Sequence, residues 1–234
     1  IEILQSGVCA ITQELCRSCG ACHEACPAQA IKRYGYAATV EEVLAEVLRD
    51  MPYYRRTGGG LTVSGGEPAV QWRFTRELLR RAKEAGVGTL VETAGAVGWE
   101  QLWAALEEAD IIYFDLKFAS SELHKRYTGM DNALILDNLR NTSARKENLV
   151  VRIPLIPGIN DAPEELGRMA ELICRLPHVS RIGLLPYHRY GVKKYALLGR
   201  DYALEQVPVQ TEQSVAQARD LLAGATGREV RSGI

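Results

Sequence analysis

Short apolar segments alternate with stretches of helical periodicity along most of this chain, and that alternation limits the folds open to it more than any other feature. The apolar segments cover residues 61–64, 89–92, 111–115, 149–153 and 182–185. Between them lie helical patterns over residues 72–85 and 99–108, others around Glu122 and Ala133, and one opened by Asp161 with Glu164 three residues on. Thr39 with Glu42 reads as a capping box ahead of Val40, Val43, Leu44, Val47 and Leu48, and a last helix is expected over residues 212–223 after a long loop. Repeated strand–helix units make an α/β fold whose parallel strands are joined by right-handed crossovers. Ligands of such sheets lie at the carboxyl ends of the strands.

Those ends carry an unusual set of residues. Residues 64–68 read Ser-Gly-Gly-Glu-Pro, 92–95 Glu-Thr-Ala-Gly, 115–117 Asp-Leu-Lys, 152–154 Arg-Ile-Pro, and 185–188 Leu-Pro-Tyr-His. Gly65 and Gly66 allow close backbone approach of a ligand, and Glu67 offers a carboxylate to an ammonium group. Taken singly, Lys117 or Arg152 is equally compatible with a paired structural cation, and His188 with a hydrogen-bonded loop histidine. Their recurrence at successive strand ends suits a zwitterionic amino-acid ligand that carries a polar sugar.

The head of the chain has a different chemistry. Cys16, Cys19, Cys22 and Cys26 fall within eleven residues, with Pro27 after the last. Two-residue gaps let a tight turn aim successive sulfurs inward, Gly20 relaxes the backbone, and the spacing matches a [4Fe-4S] binding loop of bacterial ferredoxin type. Structural zinc favours two separated cysteine pairs, and a disulfide framework belongs to small secreted domains, so iron–sulfur is the preferred reading. In two-cluster ferredoxins the fourth cysteine of such a run ligates the other cluster, which leaves open whether Cys26 serves this one. Cys9, in an apolar stretch, and Cys174, in a helical pattern, are expected to be buried small apolar residues.

With 234 residues the chain can hold a small cluster segment over residues 1–35 and one larger domain over residues 36–234. A formal charge of −1 with interspersed signs gives no footprint for nucleic acid or a lipid surface. No apolar run reaches membrane-spanning length, and thiols grouped for metal indicate a reducing compartment, so a cytoplasmic location is expected.

At the level of motifs the chain resembles a known family. Residues 64–68 resemble the Gly-Gly-Glu-Pro motif of radical S-adenosylmethionine (SAM) enzymes. The wider set, residues 58–68, 92–95, 114–117, 124–129, 152–158, 184–188 and 191–195, resembles glycyl radical enzyme activating enzymes of the pyruvate formate-lyase activase type. The likeness runs over about residues 16–199. It implies a partial (βα) barrel of radical SAM type with a small ferredoxin-like cluster segment, and SAM with a [4Fe-4S] cluster as cofactors. It implies that Gly65, Gly66 and Glu67 hold the methionyl amino group with Thr93 nearby, that Asp115, Lys117 and Arg152 contact ribose and carboxylate, and that Leu185 and His188 meet the adenosine end. Such enzymes cleave SAM with one electron and take a hydrogen from a backbone glycine of a partner glycyl radical enzyme. The electron donor implied is a flavodoxin or a ferredoxin.

The chain departs from that pattern in one respect. The family holds its catalytic cluster with Cys-x3-Cys-x2-Cys; Cys22 and Cys26 have the first gap, but Gln29 stands where the third cysteine belongs. Catalytic residues are therefore not assigned. Residues 1–35 look like the second half of a ferredoxin-like insertion, so the expectation is an N-terminally truncated form that keeps five of six barrel strands and is inactive by itself. The alternative is an iron–sulfur electron-transfer or SAM-binding subunit without radical chemistry. A radical SAM enzyme acting on a small molecule is disfavoured by the motifs at residues 115–117 and 185–195.

Overall fold

Six parallel strands succeed one another across a single sheet in chain order, each hydrogen-bonded to the next. The computed structural model describes residues 1–5, 7, 9–198 and 200–233. Its elements begin with β1 (Glu2–Ile3), β2 (Cys9–Ala10), α1 (Ala21–Glu24), α2 (Val40–Arg49) and α3 (Met51–Thr57). The alternating part follows: β3 (Gly60–Val63), α4 (Trp72–Glu84), β4 (Gly88–Thr93), α5 (Trp99–Leu106), β5 (Ile111–Asp115), α6 (Ser121–Thr128) and α7 (Ala133–Ser143). The chain continues through β6 (Leu149–Leu155), α8 (Pro163–Cys174), β7 (Arg181–Pro186), α9 (Val192–Leu197), α10 (Glu212–Thr226) and β8 (Val230–Ser232).

Two compact units divide these elements. The smaller comprises Ile1–Thr39 and Gly191–Tyr202. It holds a two-residue antiparallel ladder between β1 and β2, with Ile3 opposite Cys9, and the single turn α1, which starts after Gly20 in the left-handed region at φ +82°.

The larger unit, Val40–Tyr190 with Ala203–Ile234, contains the sheet. Alternation along each strand sorts its two faces. Val91, Ile112, Phe114, Leu149, Val151, Ile153, Ile182 and Leu184 join a core with Leu79, Leu102, Leu106, Leu139, Met169, Ile173 and Leu222 from the helices. Helices α4 and α8 supply stripes at helical spacing, Thr75-Leu78-Leu79-Ala82 and Leu166-Met169-Ala170-Ile173. The other phase of the strands, Glu92, Tyr113, Asp115, Arg152, Gly183 and Leu185, lies on the face opposite that core. Sequential strand order without a reversal is the topology of a barrel rather than of a doubly wound sheet. It is consistent with the partial barrel expected from the motifs.

Three expectations need correction. The sheet has six strands rather than five, because Val230–Ser232 pairs with β7 through Ile182, Gly183 and Leu184. The eighth helix starts at Pro163 with Ala162 at its N-cap, and the Asp161 carboxylate instead accepts the Gly158 N–H at 2.7 Å. Cys9 and Cys174 are exposed, not buried. Cys174 is the last residue of α8, one position past its inward-facing Ile173, and Cys9 sits in a ladder of only two residue pairs that cannot cover a side chain.

Candidate functional site

The carboxyl end of β3 turns through Gly65, at φ +128°, and Gly66. Nothing lies within 4 Å of where a Cβ would stand on either glycine, so the turn is an open backbone cradle. Glu67 follows in extended conformation and caps the 3-10 turn Pro68–Gln71 by accepting from the Ala69 N–H at 3.3 Å. Its Oε1 also accepts the Thr93 hydroxyl at 2.7 Å, and its Oε2 accepts the Ala94 N–H at 3.1 Å. The carboxylate is therefore held in place by the end of β4. Among the described residues Oε2 has that one donor, which leaves it a lone pair for a cation.

Thr93 is buried at 3 % exposure, and its oxygen accepts the Gly95 N–H at 2.9 Å. Gly95 is demanded twice over: its φ is +68°, and a Cβ there would come within 2.3 Å of the Phe114 ring. Asn138, fully enclosed on α7, donates to the carbonyls of Gly95 and Val97, both at 2.8 Å, and pins the same turn.

Arg152 is the centre of charge. It lies on β6, in register with Asp115 on β5, at 6 % exposure. Its Nε and Nη2 both reach Asp115 Oδ1 at 2.8 Å, while Nη1 reaches Glu92 Oε1 at 2.8 Å and Nη2 donates to Glu92 Oε2 at 3.2 Å. Ser64 at the end of β3 donates to the same Glu92 oxygen at 2.9 Å. One guanidinium thus joins three adjacent strands, β4, β5 and β6, and Glu92 extends the cluster to Ser64 just beyond β3. The Tyr113 ring lies 5.1 Å from the guanidinium carbon. Burial pushes the Asp115 carboxyl up from its ordinary value against the pull of Arg152 and Lys117, with Glu92 adding to the rise. Burial works against the Arg152 charge, but Asp115 and Glu92 outweigh it and raise its hold on the proton.

The structure brings Glu67 together with Thr93, and Asp115 with Arg152. Lys117 lies two residues beyond Asp115, with its carbonyl accepting from Asn160 Nδ2 at 2.9 Å. Asn160 has no exposed surface and also bonds the Pro154 carbonyl and the Ile156 N–H, so it locks the ends of β5 and β6 to each other. Leu185 is in register with Pro154 on β6. His188 is exposed beyond β7, its Nδ1 accepting from the Tyr190 N–H at 3.3 Å and its ring centroid 4.3 Å from that of Tyr190. Absent from the expected contacts was Glu92. Its signal was an acidic residue in an apolar strand, in the same phase as Asp115 and Arg152.

All six cysteines are free thiols, five of them in the smaller unit and Cys174 in the larger. No group of three or more His, Cys, Asp or Glu side chains converges among the described residues. Such loops order their ligands as the metal binds. The donor chemistry around Cys26 suits a cluster thiolate: the N–H groups of Ala30 and Ile31 hold its thiol below the ordinary range, with Ala28 and Gln29 assisting against desolvation. Ser18 donates to Cys16 Sγ at 3.4 Å, and Ser18 and Gln29 take positive φ, at 53° and 48°, within the loop.

Comparison with known proteins bears on what this arrangement belongs to. Residues 13–173 match the model of the radical SAM superfamily. The chain is 41% identical over 209 residues to an isethionate sulfite-lyase activating enzyme of Oleidesulfovibrio alaskensis, covering 88% of this chain and 67% of that protein. It is 36% identical to a (2S)-3-sulfopropanediol dehydratase activating enzyme of Klebsiella oxytoca, covering 89% of this chain and 67% of that protein. With a pyruvate formate-lyase 2-activating enzyme of Escherichia coli it shares 32% identity, covering 88% and 71%. The chain thus spans about two thirds of the length of these relatives. A solved domain of a pyruvate-formate lyase-activating enzyme from Bacteroides vulgatus superposes with a TM-score of 0.63 at 28% identity, covering 75% of this chain and 99% of that domain.

Proposed function

Since this chain belongs to the radical SAM superfamily, among the activating enzymes of glycyl radical enzymes, we propose that it activates a glycyl radical enzyme and that its strand-end site is the SAM cradle. SAM and a [4Fe-4S] cluster, when bound, supply one-electron cleavage of the sulfonium and removal of a hydrogen from a backbone glycine of the partner. The observation that carries the reading is the Glu67 carboxylate, fixed by Thr93 and Ala94 beside two open glycines.

Gly65 and Gly66 admit the methionyl backbone, and the remaining lone pair of Glu67 accepts its ammonium group. Lys117 takes the carboxylate of the ligand, while Asp115 and Arg152 face its ribose as a rigid pair. Leu185 provides apolar cover and His188 a polar edge for the adenosine end. Cys16, Cys19, Cys22 and Cys26 are the ligands proposed for a [4Fe-4S] cluster. The 234 residues contain no Cys-x3-Cys-x2-Cys run, so ligands for the SAM-cleaving cluster are not assigned within them. The electron donor proposed is a flavodoxin or a ferredoxin, and the setting is the cytoplasm. Among the described residues no helix is long and apolar enough to cross a membrane.

The test is calorimetric titration of the reconstituted protein with SAM. Saturable binding is expected, and Glu67→Ala is expected to weaken it by about 1.5–3 kcal/mol, the worth of a charge-assisted hydrogen bond. Absence of SAM binding by the wild-type protein overturns the reading. Mass spectrometry of a partner glycyl radical enzyme, co-expressed from the native locus and exposed to oxygen, reads the second half: cleavage at one glycine is expected.

A further inference from the structure

The segment that leads from β5 to α6 carries Lys117, and buried side chains from elsewhere in the chain hold its backbone. The Leu116 N–H still bonds the Arg152 carbonyl at 2.8 Å, so the ladder with β6 runs on past Asp115. Leu116 and Phe118 are buried, and Lys117 between them shares the phase of Asp115. Asn160 donates to the Lys117 carbonyl at 2.9 Å, and Asn132 donates to the carbonyls of Phe118 at 3.0 Å and Ala119 at 3.2 Å. The N–H groups of Ala119 and Ser120 both donate to one oxygen, Glu165 Oε1, at 2.6 and 3.0 Å.

Glu165 is unusual for its place. It is the third residue of α8, where an acidic side chain ordinarily stays in solvent beside the helix N-terminus or turns back to its own N-cap. Here it is 3 % exposed and reaches backbone groups 46 and 45 positions earlier in the chain. Its Oε2 is enclosed without a hydrogen bond, and the cation it pairs with, Arg168 at 3.5 Å, has a side chain 61 % exposed and screened by water. A buried carboxylate with so little compensation is costly. The apolar stripe of α8 does not require it; the backbone that follows Lys117 does, because an apolar side chain here would leave the Ala119 and Ser120 N–H groups without their acceptor.

We propose that Glu165 is a positioning residue for Lys117: by fixing the Ala119 and Ser120 N–H groups it sets the backbone from which Lys117 reaches the carboxylate of SAM. The inference rests on the SAM reading, in which Lys117 takes that carboxylate and Glu67 the ammonium group. Glu67 is held by Thr93 and Ala94 and, among the described residues, shares no hydrogen bond with Glu165. Loss of Glu165 therefore strikes one end of the amino-acid moiety and spares the other. A charge-assisted contact depends on close placement of both partners, and loosening one of them costs about tenfold in affinity.

The experiment is a set of calorimetric titrations of the reconstituted protein with SAM and with decarboxylated SAM, which keeps the ammonium and the sulfonium but lacks the carboxylate. The variants are Glu165→Ala, Glu165→Gln, Lys117→Met and Glu165→Ala combined with Lys117→Met. Wild type is expected to prefer SAM by about tenfold or more. Glu165→Ala is expected to lose about tenfold for SAM and less than about twofold for decarboxylated SAM. Glu165→Gln keeps an acceptor at the same reach and is expected to bind SAM within about threefold of wild type. In the Lys117→Met background Glu165→Ala is expected to cost less than about twofold more, since residues that act through one contact are not additive. Unchanged SAM affinity in Glu165→Ala, or equal weakening of both ligands, the signature of a purely structural role, overturns the proposal. So does SAM binding in Glu165→Gln as weak as in Glu165→Ala, or an additive loss in the double variant. Equal wild-type affinity for the two ligands overturns it and leaves the rest of the SAM cradle standing, whereas no binding of either removes the cradle and the inference together.

Discussion

The Thr93 hydroxyl donates to Glu67 at 2.7 Å while its oxygen accepts the Gly95 N–H at 2.9 Å, so one buried side chain joins the turn after β3 to the turn after β4. Thr93→Val keeps the shape and removes both bonds. The unpaired Gly95 N–H and the loosened Glu67 are expected to cost about 1–3 kcal/mol of stability in denaturant unfolding, together with a several-fold loss of SAM affinity. A variant as stable as wild type contradicts this account of the turn.

Gly95 stands against the Phe114 ring with its backbone in the left-handed region. Gly95→Ala must displace an aromatic ring that has no exposed surface or move the turn itself. A loss of about 2 kcal/mol or more is expected from strain and overpacking combined, visible as a lowered melting temperature. Unchanged melting would show that the turn yields at no cost.

Cys19→Ala removes one of the four proposed ligands in the smaller unit. Reconstituted protein is expected to lose iron and its brown colour, while circular dichroism of the helices in the larger unit persists. Full iron stoichiometry in the variant points away from this run as the cluster site.

Lys146 donates to the carbonyls of Glu107 at 2.7 Å and Ala109 at 2.8 Å, beyond the end of α5. Burial lowers its affinity for the proton, Lys83 adds to the effect, and Asp110, Glu108 and Glu107 oppose it. Between the lowered native value and the ordinary 10.5 the unfolded chain binds more protons than the native one, so this group makes stability rise with pH there. Lys146→Met lacks that titration. The stability difference between wild type and variant is expected to shift in favour of wild type as pH climbs toward 10.5, and a constant difference argues against a buried ammonium.

Much of the larger unit was legible because strand and helix periods differ and each element here is long enough to show its own. Residues 111–115 were read as a strand with the bounds that β5 has, and β6 was recognised although its burial extends to Leu155. Short elements escaped. β8 has three residues, two of them exposed and polar, and is a strand only because β7 offers it a partner. α9 has six residues and lay within a stretch read as loop. Exposure at Cys9 and Cys174 was misjudged because apolar neighbours in sequence do not say which way a side chain points.

The order of strands and helices, the residues at the strand ends and the family to which those motifs belong were legible along the chain, since local periodicity and motif spacing are properties of neighbouring residues. That Glu92 and Asp115 from two neighbouring strands, with Ser64 just past a third, gather around the guanidinium of Arg152 appears only once the chain is folded. Register across parallel strands is set by packing of the opposite face against the helices, and it is register that turns two acids, a base and a hydroxyl scattered between residues 64 and 152 into one charged cluster.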